Sequence, residues 1–213
     1  MSIRHLYTAG ILAPFVYLFT VLIGGRLQPD HAHLSDPVSL LGAPGSAGLA
    51  WVVGGWTATG LLYALMGVGL WRDPAGLGRR VAALIVATGL IMAVIALAFP
   101  MDPPGAPLSG IGLGHIVLVG ASAVLLIAAI ILSARRAPSR FERRAGIGGL
   151  GLMLAGGIGA GAAAAASVPL VGLFEIVTQT GYHLWLFALA VAGWKRTSAR
   201  SAPLEVQKRP GQS

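Results

Sequence analysis

RRVAALIVATGLIMAVIALAFPMD, residues 79–102, is the stretch on which the fold turns. Two arginines open it, the uncharged apolar run Val81–Phe99 follows, and an aspartate closes it just after a proline. A run of this length, near the roughly 20 residues that cross a hydrocarbon core as α-helix, reads as a transmembrane helix with one basic end. Working outward, five more runs have the same character: Leu6–Gly25, Ala47–Trp71, Gly112–Ala134, Ala145–Ala166 and Val171–Trp194.

The joints between the runs sort the charge. Fourteen of the fifteen Lys and Arg residues fall in one set of joints, which holds Arg4, the Arg72–Arg80 turn, the Arg135–Arg144 turn and the segment after Trp194; only Arg26 falls in the other. The positive-inside rule puts the basic set in the cytoplasm. The expected fold is therefore an all-α polytopic integral membrane protein, a six-helix transmembrane bundle (residues 1–194) with both termini cytoplasmic and a disordered basic tail (195–213). The expected location is a prokaryotic cytoplasmic membrane.

Composition agrees: 55% apolar and 10% charged residues leave too much apolar surface for a soluble domain of 213 residues. A net charge of +8 could suggest nucleic-acid binding. The basic residues, however, abut apolar runs and lack interleaved aromatics, so orientation and anionic lipid explain them better. The expected partners are membrane lipids and a lipid-soluble small molecule, with no nucleic acid; nothing in the chain specifies an oligomeric state. With no cysteine there is no disulfide, thiolate metal site or cysteine nucleophile. The first run has no small-x-small cleavage site before Gly24-Gly25 and reads as retained.

The fifth run is nearly all Gly and Ala, which predicts close helix approach and a place in the middle of the bundle. Pro14 predicts a kink in the first run, and Trp51, Trp56, Trp71 and Trp194 read as interfacial anchors. Asp73, Glu142 and Glu205, among the cytoplasmic arginines, read as solvated partners.

The remaining polar groups, Asp30, His31, His33, Asp36, Ser39, Asp102, His115, Glu175 and His183, belong to the outer side or the outer half of a run. Glu175 is the most informative, since a carboxylate inside an apolar run is costly unless it faces a cavity or a partner. Thr178, Gln179 and Tyr182 lie within about 60° of it on a helix, and His183 about 80° round. At 1.5 Å per residue His115 and Glu175 both lie about 5 Å in, while His183 is about 12 Å deeper than Glu175 and cannot share an ion with it.

Two chemistries follow. A metal site would use Asp102, His115 and Glu175, with His31 or His33 of the long outer loop as a further ligand, a set acceptable to zinc or manganese; the chain contains no His-x-x-x-His or His-Glu-x-x-His pair. Without a metal, a carboxyl in a partly dry apolar pocket stays protonated near neutral pH, as a general acid must. Asp102 and Glu175 would then divide the acid and base roles, with His115 as orienter or second base. Ser39, Tyr63, Gln179, Tyr182, His183 and Trp185 would line the pocket, their aromatic faces suited to a developing cation.

Ser39-Leu40-Leu41-Gly42, Phe99-Pro100-Met101-Asp102 followed by His115, and Gly172-Leu173-Phe174-Glu175 leading to Tyr182-His183-Leu184-Trp185 resemble the six-span bacterial and archaeal membrane-protein family catalogued as domain of unknown function 998, over residues 6–194. The resemblance implies a six-helix membrane fold whose characteristic polar residues are the outward Ser, Asp, His and Glu. It departs at Ile176, where relatives often carry Arg; without that cation Glu175 lacks a local partner.

The leading expectation is a membrane-embedded enzyme with an outward-opening pocket doing acid/base chemistry on a lipid or isoprenoid substrate, for example a proton-initiated cyclisation. A metal-dependent lipid hydrolase is its variant. A solute or proton carrier would need ionisable residues in the inner halves of the runs and an inverted repeat, neither of which is evident. A membrane scaffold is the third class.

Overall fold

The computed structural model describes residues 1–201. It contains six long helices: α1 (Ile3–Leu27), α2 (Leu49–Arg72), α3 (Arg79–Ala98), α4 (Gly110–Arg136), α5 (Arg140–Ala165) and α6 (Val171–Ser201), with a 3₁₀ turn at Val38–Gly42. No strand is present among the described residues. Helices α1 to α5 are long and apolar enough to cross a membrane. Large apolar side chains such as Phe19, Leu97, Val124 and Ile158 stand exposed on the bundle surface. Such a surface suits a hydrocarbon solvent rather than water.

Serines start three of the helices. Ser2, Ser109 and Ser139 each accept a first-turn N–H, from His5, Gly112 and Glu142 respectively. Each helix packs on its neighbours in chain order, and α1 packs on α6, so the six close into a ring. Two seams are drawn tight by facing glycines: a Cβ on Gly60 of α2 would sit 2.5 Å from the Gly89 carbonyl oxygen of α3, and one on Gly149 of α5 would sit 2.7 Å from that of Gly181 on α6. Only residues without a side chain permit such backbone approach.

The glycine-rich α5 is thus a member of the ring and not its centre, contrary to the sequence expectation. Gly149, Gly156 and Gly159 face α6, whereas Gly148, Gly151 and Gly161 have open space where a Cβ would go. Small residues draw helices together only where another backbone lies opposite, and a helix in a ring has a face with no such neighbour.

The basic half of the ring, the end that carries Arg4, Arg79 and Arg135, is filled by side chains from every helix, among them Tyr7, Tyr63, Met66, Ile85, Ile130 and Trp185. Asp73 and Glu142 belong to this packed end. Both are buried and not solvated as their basic surroundings suggested. Helix α6 runs beyond Trp194, where a disordered tail was expected, and brings Arg196 and Arg200 to these acids. Arg196 donates to Glu142 Oε1 at 2.6 Å, Arg200 donates to Asp73 Oδ1 at 3.3 Å, and the Tyr7 hydroxyl donates to Asp73 Oδ2 at 2.9 Å. Glu205 and the rest of the expected tail lie outside the described residues.

Of the expected Trp anchors, Trp51 and Trp71 are exposed. Trp194 lies under the Arg4 guanidinium at 5.0 Å. Trp56 instead turns inward, against Gly42.

Candidate functional site

The half of the ring opposite the basic end is hollow. A cavity of about 360 Å³ lies there, with walls drawn from all six helices and the 3₁₀ turn. The wall is mostly apolar (Met92, Ile95, Val119, Leu126, Met153), and its polar groups come from Tyr17, Ser39, His115, Ser122, Glu175, Thr178, Gln179 and Tyr182. Along α6 the polar residues follow the i, i+4, i+7 stripe predicted from sequence, so from Glu175 to Tyr182 the site descends about 10 Å.

Glu175 is positioned by the long 28–48 connection. Residues 34 and 35 of this strap lie across the start of α6, where the Leu34 and Ser35 carbonyl oxygens accept the N–H groups of Leu173 (2.9 Å) and Gly172 (3.4 Å). These would otherwise be orphan donors of a helix N-terminus. A Cβ on Gly172 would lie 2.3 Å from the His33 and Asp36 carbonyl oxygens, so the docking requires glycine. A few residues on, the Val38 N–H donates to Glu175 Oε2 at 2.8 Å, and the Ser39 N–H also supports the carboxylate. No cation pairs with Glu175 among the described residues.

His115 enters the cavity from the second turn of α4. Its Nδ1 lies 2.8 Å from the Phe99 carbonyl oxygen. A carbonyl only accepts, so Nδ1 carries the proton, and Nε2 is the nitrogen left to act as a base.

Asp102 does not line the cavity, although the sequence grouped it with His115 and Glu175. Its oxygens accept from the Ser109 N–H (2.8 Å) and the Ser109 hydroxyl (2.7 Å), and Ser109 in turn caps α4. The hydroxyl first and the N–H second hold the Asp102 carboxyl below the usual carboxylate range. Those bonds follow from the loop: Pro103-Pro104-Gly105 turns the chain back so that Asp102 meets the start of α4 and not the interior. Its connection to the site runs through the helix that carries His115 and through the charge interaction between its carboxylate and His115.

The expected pocket residues divide. Ser39, Gln179 and Tyr182 line the cavity, while Tyr63, His183 and Trp185 do not and lie deeper. The Tyr63 hydroxyl is bonded to His183 Nδ1, and the His183 ring packs at 4.3 Å centroid distance against both Tyr17 and Tyr182. This aromatic layer floors the cavity. Tyr17, whose hydroxyl donates to Gln179 Oε1, and Trp56 are wall residues that the sequence reading missed. A hydroxyl in the middle of the apolar first run was the available signal for Tyr17; an indole near a predicted interface gave none for Trp56.

The alternative metal set, Asp102, His115 and Glu175, is not assembled. No three His, Asp or Glu side chains converge to hold an ion among the described residues. His31 and His33 sit in the strap, their rings edge to face at 5.0 Å, away from the cavity wall. Burial first, then the neighbouring His33, lowers the pKa of His31, and Asp36 opposes this.

No curated protein and no solved structure matches the chain. Residues 11–192, nearly everything from the first turns of α1 to the last of the packed part of α6, match the family described as Protein of unknown function (DUF998). The chain, with its ring of helices and one-ended polar cavity, belongs to the DUF998 family.

Proposed function

We propose that the protein is a membrane-embedded enzyme that performs acid/base chemistry on a lipid or isoprenoid substrate held in the ring cavity. The observation that carries this reading is that Glu175 and His115 face one apolar cavity from α6 and α4. One is a carboxyl group with no cation paired to it among the described residues, and the other is an imidazole whose Nε2 is left to accept a proton.

In this reading all six helices span the bilayer, both termini lie on the basic, cytoplasmic side, and the cavity opens outward. Protonated Glu175 would deliver its proton to a substrate double bond, leaving a carbocation against the faces of Tyr17, Trp56 and Tyr182. His115 Nε2 would take a proton from the adjacent carbon. The sum is an isomerisation or cyclisation with no change of oxidation state, and each group contributes general catalysis of roughly 10²–10⁴-fold. Asp102, expected to share the acid and base roles, would act through the placement of α4.

Access from the bilayer is supported by the seam between α4 and α5, which is the most loosely packed of the ring. Val119 and Gly157 border the cavity on that seam and are both exposed. The packed basic half of the ring, Tyr63 and Trp185 included, argues against a through-path and hence against a carrier.

Untargeted mass spectrometry of lipid-soluble metabolites tests the reading, comparing membranes that carry the wild-type chain with membranes that carry Glu175→Gln. A substrate–product pair whose ratio reverses in the variant is the expected result. An unchanged profile with a lipid still copurifying would replace the enzyme with a lipid-binding protein.

A further inference from the structure

A second recess lies between α4 and α5 at the basic end, its Ile130 and Leu150 about one helical turn from Leu126 and Met153 of the cavity described above. Its volume is about 340 Å³; Ile130, Ile131, Ala134, Ile147 and Leu150 form its apolar wall, and Arg135 and Arg143 also line it. The two arginines come from the last turn of α4 and the first turn of α5. Both side chains are exposed, and neither joins an ion pair among the described residues. Several other arginines of this end are occupied: Arg196 and Arg200 by buried acids, Arg4 and Arg79 by the rings of Trp194 and Trp71.

We infer that this recess binds one anionic phospholipid, with the phosphate between Arg135 and Arg143 and the upper part of an acyl chain in the slot beside them. Guanidinium groups bind phosphate through charge-assisted, often bidentate hydrogen bonds. Basic pockets between membrane helices are suited to anionic head groups on the cytoplasmic side. The apolar wall reaches from Arg143 to Leu150, about 10 Å along the helix axis. That length fits the first carbons of an acyl chain and gives free phosphate nothing to hold. A zwitterionic head group would bring a cation to a site that already has two.

The test is native mass spectrometry of the full chain in mild detergent, titrated with phosphatidylglycerol, with phosphatidylcholine, and with phosphatidylglycerol in the presence of inorganic phosphate. The wild type should retain one phosphatidylglycerol in preference to phosphatidylcholine, and millimolar phosphate should not displace it. Arg135→Gln combined with Arg143→Gln should weaken retention by roughly tenfold or more, each arginine near an anionic surface contributing on the order of 1 kcal/mol. Arg140→Gln with Arg144→Gln removes the same charge from the same joint and should leave retention unchanged. Ala134→Trp fills the slot without altering charge and should also weaken it. The substituted arginines are exposed, so these charge variants retain the fold.

Equal loss in the Arg140/Arg144 pair would overturn the proposal in favour of diffuse surface attraction. Displacement by phosphate would reduce the site to an anion pocket. Unaltered retention in Ala134→Trp would remove the acyl slot and with it the phospholipid assignment.

Discussion

The Glu175 carboxylate accepts the Val38 N–H at 2.8 Å across the end of the ring, which ties the start of α6 to the 3₁₀ turn that roofs the cavity. The proposed acid is therefore also a fastener, and its two duties can be separated. Gln at this position keeps a carbonyl oxygen for the Val38 N–H but has no proton to give. Glu175→Gln should melt within a few degrees of wild type in detergent and lose turnover by about 100-fold or more. Glu175→Ala orphans the backbone donors as well and should cost a further 1–3 kcal/mol, on the order of one unsatisfied buried group. A Gln variant with full activity would end the assignment.

Asp102 predicts a pH dependence of stability. Its carboxyl is held low by the Ser109 hydroxyl and N–H in the folded chain. A group depressed on folding contributes stability that is complete above its unfolded value, near pH 4, and is lost as pH falls through the folded value. Thermal melts taken from pH 6 to pH 3 should fall more steeply for wild type than for Asp102→Asn. Superimposable profiles would show that the cap does not depend on the charge.

The glycine seams predict opposite outcomes for neighbouring substitutions. Gly149→Ala places a Cβ 2.7 Å from the Gly181 carbonyl oxygen and should destabilise by about 1–3 kcal/mol, since neither backbone can move away without opening the α5–α6 seam. Gly151→Ala meets nothing within 4 Å and should be neutral or stabilising by up to about 1 kcal/mol through helix propensity. Paired melts of the two variants decide this.

Among the described residues Arg196 is the one cation paired with buried Glu142, and it also approaches Asp73 at 4.0 Å. Arg196→Met should cost about 3–5 kcal/mol, the scale for stranding a buried charge. Glu142→Gln in the same chain should recover much of that loss, and a double-mutant cycle measures the recovery.

Gly157 tests the access route. A side chain there meets no atom within 4 Å, so Gly157→Phe should fold. It would project into the α4–α5 seam and should slow capture of a lipid-soluble ligand by at least about tenfold, while Gly161→Phe, open but off the cavity wall, should not.

Much of the architecture could be read from composition and spacing because a bilayer restricts the choices so severely. Every backbone N–H and C=O must be satisfied within its own run, which fixes helix type and length, and the arginines at one set of ends mark a common face. Glu175 stood out for the same reason, a carboxylate being costly in an apolar run. The i, i+4, i+7 stripe from Glu175 through Gln179 to Tyr182 needed only helical geometry and is present in the structure.

What those patterns did not carry is which residues meet across different helices. Asp102 and His115 both lie near the same end, yet a two-proline turn folds the aspartate back on Ser109 and leaves the histidine to face the cavity without it. Asp73 and Glu142 looked like solvated partners of nearby arginines until α6, continuing past Trp194, brought Arg196 over them. The glycines of α5 predicted close packing without naming the partner. Local sequence sets helix, face and depth through short-range hydrogen bonding and transfer energies. Ring order, the hollow at one end and the packed plug at the other depend on how six surfaces fit together, and only the tertiary structure decides that.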